Sequence, residues 1–491
     1  MAVAADETRS PLRRRWWALT LLCFMQFMLV VDDTVVNVAL PSIREDLGYS
    51  ATGLAWVVNG YLLAFGGLIL LGGRAGDLVG HRRVFLAGVA VFAVASLACG
   101  VAQEPWQLVA ARFLQGVGGA LASPTALALI TLIFAEGAER AKAIGLWGGI
   151  AALGGIVGYV LSGLLTDLVS WRLVFLINLP VAVVVLALVP ALVPSAATAA
   201  RQRVDIPGAV TATVGLAALV FALLEAPAAG WGSPRALVPV AVAVVLLAAF
   251  VLQERRVTYP LVPLRFFANR TRSAANGTMM LFTTGLFAMF FLLTLHVQER
   301  LGWSPLQTGL AYVPMAACLL IGISLSQRLV GRLGPRPVLL LGPLLTAAGL
   351  LYLSWIDGTE RYLPDILPGM VLVALGAGLA VPVLATAAMS ATTAEDAGLG
   401  SGMLTVAQQI GGAVGLALLV SLAGLRSRQM ISDGAGADAA AIGGTVLAFQ
   451  VAAAILVAAA LLTLVIRPPR PAAASPDQTD SPDHTSIGVP S

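Results

Sequence analysis

The 491-residue chain is 58% hydrophobic and only 11% charged, with a mean hydropathy of +0.90, more apolar surface than a soluble protein of this size can hide. Its formal charge of +4 sets 29 basic against 25 acidic residues, with Lys142 the single lysine. Cys23, Cys99 and Cys318 stand alone, without CxxC or ligand spacing, which indicates neither a disulfide framework nor a metal site. The sequence predicts an all-α, polytopic membrane protein.

Residues 1–15, with Arg13, Arg14 and Arg15 at their end, read as a cytoplasmic N-terminal tail. The apolar stretch that follows is too long for the h-region of a signal peptide, holds two acids and leads into many more spans, so it reads as a permanent helix. Crossing the hydrocarbon core takes about 20 apolar residues. Fourteen segments qualify, at 16–39, 53–71, 84–102, 106–134, 143–165, 173–193, 207–226, 236–252, 273–295, 308–326, 337–355, 365–388, 399–424 and 443–466. They divide into an N-terminal six-helix bundle (16–193), a linker with two inserted transmembrane helices (194–272) and a C-terminal six-helix bundle (273–466). Residues 467–491, rich in Pro, Ser and Asp, read as a disordered cytoplasmic tail.

With the N-terminus inside, 21 Arg and Lys residues fall on the cytoplasmic side, seven on the other, and Arg112 inside a span. Both termini are therefore expected in the cytoplasm. The Arg-for-Lys and Ala-rich bias suggests a high-GC bacterial coding sequence, hence the bacterial cytoplasmic (inner) membrane. An internal repeat links GRAGDLVGHRRVFLAG to QRLVGRLGPRPVLLLG: Gly80, Arg82 and Gly88 recur as Gly334, Arg336 and Gly342, each displaced by 254. Parallel repeats of this kind accompany two-bundle transporters whose substrate site lies between the halves.

The first span reads VDDTVVNVALP, and an ionised acid at mid-membrane costs roughly 2.5–3.5 kcal/mol on insertion scales. Asp33 and Asn37 share a helical face while Asp32 is turned about 100° away. Asp32 lies about 24 Å from Trp16 along the helix, and Arg112 about 9 Å below the outer edge of an oppositely running fourth span, so the two charges meet at similar depth. An arginine beside a buried acid is a device for holding and releasing a proton. Gln115 and Gly116 follow Arg112 and, with Asn37, are expected to line a substrate cavity. After the second span, GRAGDLVGHRR sets Asp77 among Arg74, Arg82 and Arg83, where a carboxylate can cap a helix and pair with arginine in a cytoplasmic gate loop. The fifth span places Gly145, Gly149, Gly154, Gly158 and Ser162 at mostly four-residue intervals, a spacing that lets helices approach and slide. A nucleotide-driven pump needs GxxxxGK[ST]. The lone lysine sits in AERAKAIG, so no cofactor is expected and an ion gradient is the energy source.

At these residues the chain resembles the fourteen-helix drug:proton antiporter branch of the major facilitator superfamily. VDDTVVNVALP is similar to that branch's first-helix motif, with Asp32 at the motif acid and Asp33 at a variable position. GRAGDLVGHRR resembles the superfamily loop motif through Gly73, Asp77, Gly80, Arg82 and Arg83. LVAARFLQGVGGA resembles the fourth-helix motif through Arg112, Gln115 and Gly116, and the family implicates this arginine in proton coupling. Gly154, Gly158 and Gly163 resemble the fifth-helix glycine motif. WRLVFLINLP and QERLGWSPLQTGL also look like the branch. Leu78 replaces the basic residue usual in the loop motif, and Tyr159 the proline usual in the fifth helix.

The resemblance implies the major facilitator fold, two six-helix bundles with two additional transmembrane helices between them, and proton coupling at Asp32, Asp33 and Arg112. The expected function is proton-coupled efflux of amphiphilic drugs or antibiotics by alternating access. A dedicated exporter of one endogenous metabolite, such as a self-made antibiotic or siderophore, is the alternative, with a non-transporting receptor or scaffold behind it. An enzyme is not expected, because the sequence shows no nucleophile and base pair, metal cluster or cofactor loop. The expected partners are a small-molecule amphiphile, protons and the lipid bilayer, without nucleic acid; the sequence is silent on oligomeric state.

Overall fold

The structure, a computed structural model, describes residues 2–193, 205–390 and 397–466. The expected C-terminal tail, 467–491, and residues 194–204 of the linker lie outside the described residues. Fourteen described helices are long and apolar enough to cross a membrane. They are α1 (Arg14–Leu47), α2 (Thr52–Val79), α3 (His81–Gly100), α4 (Pro105–Ile133), α5 (Ala138–Leu168), α6 (Leu173–Leu192) and α7 (Ile206–Ala229). There follow α8 (Pro234–Arg256), α9 (Arg270–Glu299), α10 (Pro305–Leu333), α11 (Pro335–Leu353), α12 (Tyr362–Ala388), α13 (Gly398–Ser432) and α14 (Ala437–Thr463). The helix of α1 itself continues upstream to Ala2, through the segment read as a tail.

All fourteen expected spans are present, and most helices outrun their apolar windows. Inside lipid every backbone N–H and C=O must be satisfied within the helix, and nothing ends that pattern at the water interface except a residue that breaks it. The second window ends at 71, but α2 continues through GRAGDLV and stops at Gly80, whose φ of 103° returns the chain into α3. Gly334, with φ 80°, makes the same joint between α10 and α11. Elsewhere side chains set the starts: Ser304 accepts from the Gln307 amide at 3.2 Å while Gln307 Oε1 accepts from the Ser304 amide at 3.0 Å, a reciprocal cap for α10.

In the N-terminal half α1 packs on α5, and α4 on α2 and α3; in the C-terminal half α9 packs on α13, and α12 on α10 and α11. The faint sequence repeat is thus a repeat of packing. A Cβ on Gly88 would lie 2.8 Å from the Gly118 carbonyl oxygen, and one on its counterpart Gly342 would lie 2.9 Å from that of Gly376. Each crossing is close enough that only glycine fits.

The two halves meet along α2 and α13, and α5 and α10, with α1 touching α9. The inserted helices pack on each other, and α7 lies in the seam between α2 and α13, where Thr213 sits against Gly67. α8 stands outermost, with Val238, Val244 and Val245 exposed, a surface suited to lipid and costly in water.

Candidate functional site

Five helices of the N-terminal half converge on Asp32. Its Oδ2 accepts from Arg112 Nη1 at 2.5 Å, and its Oδ1 from Gln115 Nε2 at 2.6 Å and Asn178 Nδ2 at 2.8 Å. Arg112 also donates to the Val57 carbonyl at 3.0 Å and to Gln115 Oε1 at 2.7 Å, and its guanidinium lies 4.5 Å from the Tyr61 ring centroid. Gln115 Nε2 donates to Ser96 Oγ at 2.8 Å. Asp32 is 0% and Arg112 1% exposed. A buried pair survives only where both charges and their remaining hydrogen-bonding positions are satisfied, and here α1, α2, α3, α4 and α6 each supply a partner.

Sequence reasoning brought Asp32 and Arg112 together by depth, and missed Asn178 and Ser96. Asn178 is the one amide in the apolar run LVFLINLPVAV, a signal that could have flagged it; Ser96, a small hydroxyl in an apolar helix, carries none.

Three residues expected on a cavity wall lie elsewhere. Gln115 is fully buried inside the Asp32 network. Gly116 faces α2, where a Cβ would stand 2.5 Å from the Tyr61 carbonyl oxygen, so its smallness serves a helix crossing. Asn37 is buried and turns its amide to the Asp33 carbonyl of its own helix, at 3.2 Å. Asp33, by contrast, is only partly buried and takes part in no ion pair or side-chain hydrogen bond among the described residues.

The glycines of α5 divide by function. Gly154 and Gly158 lie against α1, where a methyl on Gly158 would collide with Thr34 Oγ1, and Gly163 lies against the start of α10 near the Pro305 carbonyl. Ser162 Oγ donates to the Val35 carbonyl, fastening α5 to α1. Tyr159, in place of the proline usual in such a motif, stacks on Phe290 of α9 (5.2 Å) and Tyr312 of α10 (4.9 Å).

The face opposite the start of α1 is latched between the halves. Gln298 Nε2 donates to the Val38 carbonyl at 2.9 Å, Arg44 Nη1 reaches both Glu299 oxygens at 2.8 Å, and Ser304 Oγ donates to Asp167 Oδ2 at 3.1 Å. Toward the other face α5 is uncovered: Lys142, Ile144, Gly145, Leu146, Gly148 and Gly149 are exposed, and no atom approaches the Cβ positions of those three glycines. The cleft between the halves is therefore shut on the latched side and open on the side where α1 begins.

On that open side the expected gate loop is not a loop. Gly73 and Asp77 belong to the last turns of α2, and Arg82 and Arg83 to the first turn of α3, with Gly80 the whole joint. Asp77 Oδ1 lies 3.4 Å from His81 Nε2. Arg82 instead donates to the Pro190 and Val193 carbonyls at 3.1 and 2.9 Å, capping α6. The turn at Gly80 brings His81, the first residue of α3, back against Asp77, whereas Arg82 reaches the end of α6. Gly73 has room beside Pro124, 3.9 Å from its Cβ position.

A two-bundle helical membrane protein, closed at one end around a cleft and holding a buried acid–arginine pair, has the form of a secondary transporter. Residues 22–416 match the family model described as Major Facilitator Superfamily, and the chain belongs to that superfamily. It is 40% identical over 468 residues to the puromycin resistance protein of Streptomyces alboniger, covering 94% of this chain and 93% of that one. It is 39% identical to the lincomycin resistance protein of Streptomyces lincolnensis, covering 97% and 96%. Its fold is similar to that of a bacterial homologue of the human lysosomal transporter Spinster, with a TM-score of 0.68 at 16% identity over 92% of this chain and 97% of that one.

Proposed function

We propose that the protein exports amphiphilic drugs or antibiotics across the bacterial cytoplasmic membrane in exchange for protons, by alternating access. The observation that carries this reading is the wholly buried Asp32–Arg112 pair in a protein whose cleft is shut on one face. The relatives named for resistance to puromycin and lincomycin support drug or antibiotic efflux as its purpose. The excess of arginine on the open face supports placing that face, and both termini, in the cytoplasm, so this state faces inward.

Two states suffice. With the cleft open inward, Asp32 is ionised and held by Arg112, Gln115 and Asn178, and cargo enters from the cytoplasm or inner leaflet. Once the Arg44–Glu299 and Gln298–Val38 latches part and α5 closes the inner end, the cargo leaves and Asp32 takes a proton from outside. Neutral Asp32 no longer balances the Arg112 charge, so return to the inward state and loss of the proton restore the pair. Asp33 is a second carboxylate on the same path. No cofactor is needed: one proton moving down about 100 mV supplies about 2.3 kcal/mol and each pH unit about 1.4, which together sustain a cargo gradient of several hundredfold.

The test is proton movement in everted vesicles on adding puromycin, lincomycin and a panel of amphiphilic drugs. Drug-dependent proton flux is expected from the wild type and none from Asp32→Asn, with both proteins present in the membrane in equal amount. Wild-type transport by Asp32→Asn ends the coupling assignment, and no drug-linked flux from the wild type ends the exchange reading.

A further inference from the structure

One buried side chain beside the acid–arginine pair has nothing to hold. Asn59 of α2 is 0% exposed, and among the described residues neither its amide nitrogen nor its oxygen has a hydrogen-bond partner. The other buried asparagines each place their nitrogen: Asn37 on the Asp33 carbonyl, Asn178 on Asp32 and Asn276 on the Arg272 carbonyl. Burying a polar group unpaired gives up its bonds to water with nothing in return, a cost that folded proteins rarely leave standing.

The place of Asn59 in the fold gives the reason. Gly66 and Leu70 of α2 meet Gln409 and Gly402 of α13, and Asn59, seven residues before Gly66 and eleven before Leu70, lies within about 20° of both around the helix. It therefore faces α13, across the seam between the halves. The two helices run in opposite directions, so the part of α13 level with Asn59 lies about two turns beyond Gln409. There Ala413, Leu416 and Val420 continue the Gln409 stripe and are buried. From Gly411 to Gly424 the one polar side chain is Ser421, turned about 120° from that stripe. Seven residues in from Thr52, Asn59 sits about 10 Å from the latched end of α2, where the halves close the cleft. On the opposite side of the same turn, the Val57 carbonyl accepts from Arg112 Nε at 3.0 Å.

We propose that Asn59 sets how readily the shut end of the cleft opens: its amide is left unpaired between α2 and α13 in this state and is hydrated when the two helices part. The closed seam is thereby kept from becoming too stable, and the latch has less to overcome when it opens. This rests on the alternating-access reading. It gives one turn of α2 two roles in the exchange, a carbonyl that holds Arg112 and an amide that disfavours the closed seam.

The full-length protein carrying Ser42→Cys, in the vestibule beside the latch, is reconstituted in proteoliposomes and its labelling rate by an impermeant maleimide is read without drug. Adding Asn59→Leu, similar in size but without polar atoms, is expected to slow labelling about tenfold, the effect of relieving one unpaired buried group, and to raise the melting temperature. Asn59→Thr is expected to do the same, because a helical threonine donates to the carbonyl three or four residues back, as Thr34 and Thr213 do here. Labelling at the Asn59 rate or faster in either variant overturns the proposal, because the seam then does not part at Asn59. A lower melting temperature in Asn59→Thr overturns it too, because the amide is then satisfied where it lies. The measurement uses no cargo and so fails independently of the vesicle experiment: drug-linked proton flux with unchanged labelling rejects this role for Asn59 and leaves export standing.

Discussion

The coupling between Asp32 and Arg112 is large enough to measure as a thermodynamic cycle. Replacing Arg112 with Met removes the cation 2.5 Å from Asp32 while Gln115 and Asn178 remain as donors to the carboxylate. An uncompensated buried charge is left, at a cost of about 3–5 kcal/mol. Asp32→Asn strands the guanidinium instead, at a similar cost, because the Val57 carbonyl and Gln115 Oε1 that also receive its protons carry no charge. The double variant buries no charge at mid-depth on this network and loses hydrogen bonds worth about 0.5–1.5 kcal/mol each. It should therefore be more stable than either single variant, with a coupling of about 3 kcal/mol or more. Unfolding of the purified protein in mixed micelles titrated with a denaturing detergent, followed by fluorescence, reads the four free energies. Single-variant effects that add to within about 0.5 kcal/mol would show two independent sites and refute the ion-pair account.

The latch between Arg44 and Glu299 is partly exposed, so its contribution is small, about 0.2–1 kcal/mol. Glu299→Arg should still move the balance of states outward, increasing labelling of a cysteine placed at Ser42 by an impermeant maleimide; the exchanged pair Arg44→Glu with Glu299→Arg should restore the wild-type rate. At the same face, Glu360 joins the α11–α12 connection to α9. Burial works to raise its pKa, but hydrogen bonds from the Gly358 amide at 2.7 Å and His296 Nε2 at 3.1 Å outweigh that and hold it below the ordinary glutamate value. A carboxyl so lowered stabilises the fold above its unfolded value of about 4.3, and the contribution is lost as pH falls through the lowered value. Melting temperature followed from pH 6 to pH 3 should fall more steeply for the wild type than for Glu360→Gln; parallel curves would refute this.

What the sequence made legible follows from length and cost. Twenty apolar residues and an acid at mid-span are expensive features with few explanations, so the fourteen helices and the depth match of Asp32 with Arg112 could be read directly. The Gly88 and Gly342 crossings were legible as a repeat because only glycine fits them. Helix ends were less so: the apolar window reports where lipid is, whereas the helix continues until Gly80 turns it. Which side of α4 meets α2 could not be read, because a small residue serves a cavity wall and a close crossing equally well. Gly116 was therefore expected at the former and found at the latter. Asp77 was drawn to the arginines by charge alone, but the turn at Gly80 brings His81 to it.

The deeper regularity is that α1 carries contacts to both halves, on different sides and at short axial spacing. Asp32 ties one side to α4 and α6; Thr34 and the Val35 carbonyl tie another to Gly158 and Ser162 of α5. Six residues beyond Asp32, about 9 Å along the axis, the Val38 carbonyl accepts from Gln298 of α9, and Arg44 reaches Glu299 another turn and a half further on. A rigid helix cannot adjust one of these without moving the others. In the proposed cycle, neutralising Asp32 would release the hold on the first side, and the displacement would reach the Val38–Gln298 contact, because no proline or positive-φ residue interrupts α1 between Asp32 and Val38. The Ser162 and Gly158 contacts mean that α5, whose far half is bare, moves with it. In the proposed exchange, the helix that carries Asp32 would therefore also part the latch at one end of the cleft and carry α5, which closes the other.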